Sequence, residues 1–292
     1  LTPVEWEADP ELEWCPPGHG DIYTALLASG LLDALLDKGY RYAMTANSDN
    51  LGAAPSARIA GWFAASGAPY APEMCRRTPA DVKGGHLAVR KSDGRIILRD
   101  TAQTPEDQMH YFTDQFRHPF FHTNNLWFDL EVLRDTLADR GGILGLPLIR
   151  NSKTVDPADS SSTPVIQLET AMGAAVEAFE GATAIEVPRS RFLPVKTTND
   201  LLLVRSDVYE VDDDGLLQMV PDQACTVSLD PRFYKKIQDF EARFPDGVPS
   251  IKDAQSLTVD GDWTFGADVV ATGEAHVEAE GSPGRIADGA RI

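Results

Sequence analysis

From residue 257 the sequence falls into six-residue units, LTVDGD, WTFGAD, VVATGE and AHVEAE. Val259, Phe265, Ala271 and Val277 share one position of the unit, and Gly261, Ala267, Gly273 and Ala279 follow two places later. Small residues alternating with apolar ones at this period suit a tightly coiled left-handed parallel β-helix, each flat side being one short strand. Plain antiparallel strands are the alternative the pattern leaves open. The tail reads as a stability and assembly module. A β-helix leaves exposed ends, which makes it a route to a homo-oligomer.

Upstream, strand and helix patterns alternate as in an α/β protein. The stretch 12–21, LEWCPPGHGD, packs prolines and glycines around His19 and reads as a tight loop. Asp21 stands where a helix cap belongs, and apolar residues at helical spacing predict a helix over 21–38. A strand over 40–46 runs into Asn47, Ser48, Asp49 and Asn50, before a helix over 52–65. Polar residues at the carboxyl end of such a strand are where open α/β sheets place ligands. Strands are expected over 69–77, 95–100 and 120–126, with the glycine pair Gly84-Gly85 in a turn and Asp93-Gly94 closing a hairpin. Helices are expected over 129–139, 168–180 and 234–244, and a polar loop over 156–163. The expected organisation is a catalytic α/β region over 1–210, a connecting segment over 211–250 and the β-helix over 251–292.

Against a net charge of −19, the stretch 187–204, VPRSRFLPVKTTNDLLLV, is unusual. Arg189, Arg191 and Lys196 cluster there, and Pro188 and Pro194 fix φ and stiffen the loop. It reads as an anion site, anchored on a buried strand over 201–204. The acidic balance disfavours nucleic acid and anionic membrane as partners. Neither a membrane-spanning run nor a signal peptide is legible, so the expected location is cytoplasmic. Cys15, Cys75 and Cys225 are odd in number and far apart, and read as reduced and structural.

The motifs LEWCPPGHGDIY, ANSDNLGA, ADVKGGHL, TNNLW, QLETAMGAA and VPRSRFLPVKTTNDLLLV, in this order, resemble the UTP–glucose-1-phosphate uridylyltransferases. The resemblance runs from about residue 12 to 209, and the hexads are similar to the β-helix that ends family members. It implies a Rossmann-like nucleotidyltransferase with a mixed sheet flanked by helices. It also implies Mg²⁺-dependent uridylyl transfer between UTP and glucose 1-phosphate, giving UDP-glucose and pyrophosphate. Such a reaction needs positioning and charge neutralisation rather than a protein nucleophile.

The resemblance places Gly18 and His19 beside the nucleotide sugar, Asn47 and Asp49 at ligand and Mg²⁺, and Lys196 at phosphate. Glu73, Gly84 and Gly85 match a region near the hexose, and Asn124 a polar contact. Structural readings stand beside these: a turn histidine bonded to its own loop, an Asx turn or helix cap for Asp49, and internal ion pairs for Arg189 and Arg191. A β-bulge serves for the glycine pair, and helix packing for Glu169. The family form FNTNN has His122 in place of its first asparagine here. Family members also carry a glycine-rich loop upstream of the part matching residue 12, which this sequence lacks. The expectation is therefore a portion of a longer protein that does not catalyse alone. Two alternatives remain: a related enzyme using another hexose 1-phosphate, and a non-catalytic sugar-nucleotide binding protein.

Overall fold

The computed structural model describes residues 2–78, 81, 84–101 and 104–292. It divides into two compact units, Leu1–Asn47 with Pro55–Pro188, and Ser48–Ala54 with Arg189–Ile292.

In the first unit the helix expected over 21–38 is two, α1 (Ile22–Ala28) and α2 (Leu31–Asp37). Gly30 separates them at φ +73°, a left-handed conformation that glycine adopts without steric cost. Then come β1 (Tyr42–Thr45), α3 (Ala57–Ser66), β2 (Tyr70–Arg76), β3 (His86–Val89), β4 (Ile96–Arg99), α4 (Met109–Phe112) and β5 (Phe120–Asp129). They are followed by α5 (Leu130–Asp139), β6 (Leu148–Thr154), β7 (Pro164–Thr170) and β8 (Ile185–Glu186). Ser56 caps α3 through Oγ, which accepts from the Ile59 amide at 3.3 Å, and Asp129 caps α5 by accepting from the amides of Glu131 and Val132.

The main sheet is mixed, in the order β1-β5-β2-β8: β5 is antiparallel to both neighbours, and β8 is parallel to β2. Helices flank it, and Tyr23, Leu32, Tyr70, Leu126, Phe128 and Leu133 are buried beneath them. Each such large side chain contributes on the order of 2 kcal/mol of hydrophobic stabilisation.

The helix expected over 168–180 is not there. Residues up to Thr170 alternate as β7 and pair with β6 from Leu148↔Thr170 to Thr154↔Pro164, so Glu169 lies on a strand. A 3₁₀ segment, Met172–Ala178, follows, with Met172, Gly173, Ala174, Ala175 and Val176 all buried. The expected loop over 156–163 is the tip of this ribbon.

In the second unit the strand expected over 201–204 is instead part of α6 (Thr198–Arg205). Thr197 and Asp200 form a reciprocal capping box that starts the helix, and this overrides an apolar run that reads as strand. A hairpin, β9 (Tyr209–Val211) with β10 (Leu217–Met219), closes over the acidic turn. Then follow β11 (Thr226–Leu229), α7 (Pro231–Tyr234), α8 (Ile237–Arg243), β12 (Ala254–Val259), β13 (Trp263–Phe265), β14 (Gly273–Val277) and β15 (Gly284–Ile286).

These strands pair in parallel: β11-β12-β14, β13-β15, and single bridges joining Ser250, Val270 and Arg291. Leu257 pairs with Ala275 and Val259 with Val277, so residues three hexads apart stack in register. Val259, Phe265, Ala271 and Val277 are all buried, as the hexad position requires. The antiparallel alternative is excluded by the parallel ladders. Among the described residues no helix is long and apolar enough to cross a membrane.

Candidate active site

In the first unit the PPGHG loop is pressed against the end of β7. Gly18 has φ +84°, and a Cβ on it would lie 2.5 Å from the Thr170 carbonyl oxygen; one on Gly20 would lie 2.5 Å from Thr170 Oγ1. Only glycine fits either place. The loop presents His19, whose Nδ1 accepts from the Met172 amide at 2.9 Å. This fixes the neutral tautomer with its proton on Nε2. Burial lowers the His19 pKa, opposed by the Glu169 carboxylate. The anchoring partner is therefore neither the ring's own loop nor a ligand but a backbone amide far along the chain.

Asn124 is built by a bulge. Between the pairs Pro72↔Leu126 and Met74↔His122, β5 carries Thr123, Asn124 and Asn125 against the single residue Glu73 of β2, and Asn124 takes φ +65°. Glu73 holds this bulge. Its backbone oxygen accepts from Thr123 Oγ1 at 2.8 Å, Oε2 from Asn125 Nδ2 at 3.0 Å, and Oε1 from Trp127 Nε1 at 2.9 Å. Glu73 is fully buried, and its carboxylate supports the bulge that carries Asn124. Asn124 Nδ2 donates to Asn47 Oδ1 at 2.8 Å, joining the end of β1 to the bulge of β5.

His122 sits beside this pair. Its Nδ1 accepts from the Asn124 amide at 3.0 Å, leaving the proton on Nε2, which is buried without a partner among the described residues. Burial, with His19 nearby, pushes its pKa down to about 4. Gly173 makes room for the ring: a Cβ there would lie 2.8 Å from His122 Cε1 and 3.0 Å from Asn124 Oδ1.

Gly84 and Gly85 lead into β3. The Gly85 carbonyl accepts from the His122 amide at 2.7 Å, and the Gly84 carbonyl accepts from the Arg77 guanidinium. A Cβ on Gly85 would lie 3.3 Å from Asp100 Oδ2, which brings that carboxylate to the glycine pair. Sequence reasoning passed over Asp100, whose only signal was its place at the end of a hairpin strand. The ADVK part of the motif is outside the described residues at Ala80, Val82 and Lys83.

The second unit contains the charged residues. Its stretches Ser48–Ala54 and 189–196 are zipped together. The Leu51 amide donates to the Leu193 carbonyl at 3.0 Å, the Val195 amide to the Asp49 carbonyl at 2.8 Å, and Asn50 bridges Pro194. Asn50, the last of the four polar residues after β1, is buried at the centre: Oδ1 accepts from the Leu193 amide at 2.8 Å, and Nδ2 donates to the Arg191 carbonyl at 3.1 Å. Gly52 permits the approach, since a Cβ would meet the Ser190 carbonyl at 2.4 Å.

Asp49 and Lys196 are thereby brought together in one zipped pair of strands. The Asp49 side chain is half-buried, and among the described residues neither its carboxylate nor the exposed Lys196 ammonium has a hydrogen-bond or ion-pair partner. Arg191 donates to the Ala54 carbonyl, and Arg189 lies over the Phe192 ring at 5.3 Å. The first unit offers neutral donors and glycine backbone, of the kind that receives hydroxyl groups. The second carries a carboxylate and cationic side chains on its zipped stretches, of the kind that holds phosphate.

The family profile described as UTP–glucose-1-phosphate uridylyltransferase matches residues 1–271. The enzyme of that name from Solanum tuberosum is 42% identical over 284 residues, 96% of this chain and 57% of its own length. Its counterpart from Saccharomyces cerevisiae is 40% identical over 277 residues, 94% of this chain and 54% of its own length. A variant UDP-glucose pyrophosphorylase from Leishmania major, solved in complex with UDP-glucose, superposes with a TM-score of 0.86 at 46% identity. It covers 100% of this chain and 64% of its own. The chain therefore spans a little over half the length of the curated relatives it matches, 57% for the first of them. On the profile match and on identity sustained over nearly the whole chain, it belongs to the UTP–glucose-1-phosphate uridylyltransferase family.

Proposed function

We propose that the protein transfers a uridylyl group between UTP and glucose 1-phosphate, giving UDP-glucose and pyrophosphate. An oxygen of the sugar phosphate attacks the α-phosphorus of UTP in line, and the bond from that phosphorus to the departing pyrophosphate breaks. The single observation carrying this reading is the zipped pair of stretches in the second unit, whose backbone tie of Val195 to Asp49 puts residues 49 and 196 on neighbouring strands, both with side chains that have no partner among the described residues.

In this reading Lys196 neutralises phosphate charge, with Arg189 and Arg191 adding positive potential around it. The glycine pair Gly84-Gly85 and the Asn47–Asn124 pair receive the hexose, Glu73 holds Asn124 in place, and Gly18 lets the backbone and His19 Nε2 approach the nucleotide sugar. Asp49 suits Mg²⁺, because that ion takes one or two carboxylates along with phosphate oxygens and water. When bound, Mg²⁺ neutralises charge between the two polyanions. The parallel ladders support reading the end of the chain, 251–292, as a parallel β-helix; in this reading it is left-handed and serves stability and homo-oligomer assembly. The region 1–210 is then the catalytic part, 211–250 connects them, and the protein works in the cytoplasm.

The test is UTP- and Mg²⁺-dependent pyrophosphate release with glucose 1-phosphate in the full-length protein, for wild type, Lys196→Ala and Asp49→Asn. Both variants are expected to lose at least about a hundredfold in turnover while keeping their folded stability. Wild-type rates in either variant, or no release with glucose 1-phosphate, overturn the reading.

A further inference from the structure

At the Ala178 end of the 3₁₀ segment the first unit has a cleft of about 180 Å³, whose lining includes none of the residues assigned above to uridylyl transfer. Arg90, Arg95, Arg140 and Glu177 all line it. The three cations come from separate places: Arg90 follows β3, Arg95 precedes β4 and Arg140 follows α5. The fold thus gathers three guanidiniums in a chain with 45 acidic residues against 26 basic ones.

The three are held differently. Arg90 is committed to carboxylates: Nε and Nη2 donate to Asp93 at 3.0 and 2.6 Å, and Nη1 donates to Glu177 Oε2 at 3.1 Å. Arg95 and Arg140 are held by backbone oxygens instead. Arg95 Nη1 donates to the Glu177 carbonyl at 3.2 Å. Arg140 donates through Nη1 to the Leu144 carbonyl at 2.8 Å and through Nη2 to the Ala178 carbonyl at 3.1 Å. Among the described residues neither arginine has an ion-pair partner, although acids outnumber bases in the chain. Neutral carbonyls fix a guanidinium without neutralising it, and most of its five N–H donors are left over.

We propose that this cleft is a second ligand site, taking a small tetrahedral oxyanion, inorganic phosphate, between Arg95 and Arg140. Fixed guanidiniums hold phosphate oxygens through charge-assisted N–H···O bonds, in a planar geometry that matches the anion. The volume lies below the roughly 300 Å³ at which pockets for drug-sized molecules begin, so the cleft suits a small ion better than a large organic body. Its two anchoring carbonyls, Glu177 and Ala178, belong to the segment that begins at Met172, whose amide fixes His19. The same bonds also cap the last carbonyls of that segment, a structural role that needs no anion.

The experiment separates the two roles. Inorganic phosphate is titrated into the intact protein at constant ionic strength, with chloride and acetate as comparisons, and the arginine Nε–H resonances are followed by NMR. Phosphate is expected to shift Arg95 and Arg140 saturably, with half-saturation at about 1 mM, and acetate to bind about tenfold more weakly. Arg140→Gln keeps a donor for a carbonyl and removes the charge, so the phosphate response of Arg95 should weaken about tenfold. Capping alone predicts that phosphate and chloride act alike on both resonances, and that outcome overturns the proposal. Shifts that do not saturate, or an undiminished response in Arg140→Gln, overturn it too. The chloride comparison needs only the wild type, so the test stands if Arg140→Gln fails to fold. Because the readout is binding at Arg95 and Arg140, it is independent of whether the protein transfers uridylyl groups.

Discussion

Glu73 looks from sequence like one more acidic site residue, but what it does is hold a bulge. Its two carboxylate oxygens serve buried donors on Asn125 and Trp127. Glu73→Ala should therefore destabilise the protein by roughly 3 kcal/mol in chemical denaturation, since both donors lose their acceptor. A loss below about 1 kcal/mol would show the bulge to be held by its backbone alone. His122 gives a second prediction. Its folded pKa, about 4, is depressed by burial below the ordinary histidine value of 6.5. The unfolded chain thus binds more protons between those values, so this contribution is complete above about pH 6.5 and is lost as pH falls toward 4. In His122→Asn the drop in stability from pH 7 to pH 4 should shrink by on the order of 2 kcal/mol, read from urea midpoints at each pH. At this scale the motifs were legible because their chemistry is carried by residue type: Gly18, His19, Asn47, Asp49 and Lys196 all lie in built surroundings. Burial is not written in residue type. Hence the sequence does not show that Glu73 is enclosed under a bulge or that Asn50 holds the lysine loop.

Elements were legible where a pattern repeated along its whole length. The hexads stack in register because side-chain position and coil length agree along the whole tail, from Val259 to Val277. The run 201–204 had a rival. Leu-Leu-Leu-Val reads as a buried strand, but Thr197 and Asp200 satisfy the first orphan amides of a helix, and α6 begins there. Residues 168–180 failed for another reason: their helical spacing is broken by pairing of Thr170 with Leu148, which lies far away in sequence. Asp200 Oδ2 also accepts from the Lys196 amide at 3.0 Å, so the cap and the catalytic candidate share one carboxylate. Thr197→Ala should cost about 1 kcal/mol in thermal or chemical unfolding, the usual loss for a cap. Asp200→Asn should also raise the Michaelis constant for the phosphate substrate, because the Lys196 backbone loses its tether; unchanged kinetics would confine Asp200 to the helix.

At the scale of the whole molecule, the boundary between compact units is not a single cut in the sequence. The short stretch Ser48–Ala54 belongs with Arg189–Ile292, although the residues on either side of it belong to the first unit. Linear reading finds composition shifts and linkers, and no such signal marks a piece of chain donated to a distant partner. The donation has a measurable consequence. In a fragment comprising 189–292, the Leu193 and Val195 amides lose Asn50 Oδ1 and the Asp49 carbonyl as acceptors. The ladder of β12 with β11 and β14 keeps all its partners inside the fragment. Hydrogen exchange should therefore run at least about tenfold faster at Leu193 and Val195 than in the intact chain, while β12 stays protected. A synthetic peptide of residues 48–54, added in excess, should slow the two amides again. If they exchange in the fragment as slowly as in the intact chain, the zipped strands are not what holds the lysine loop.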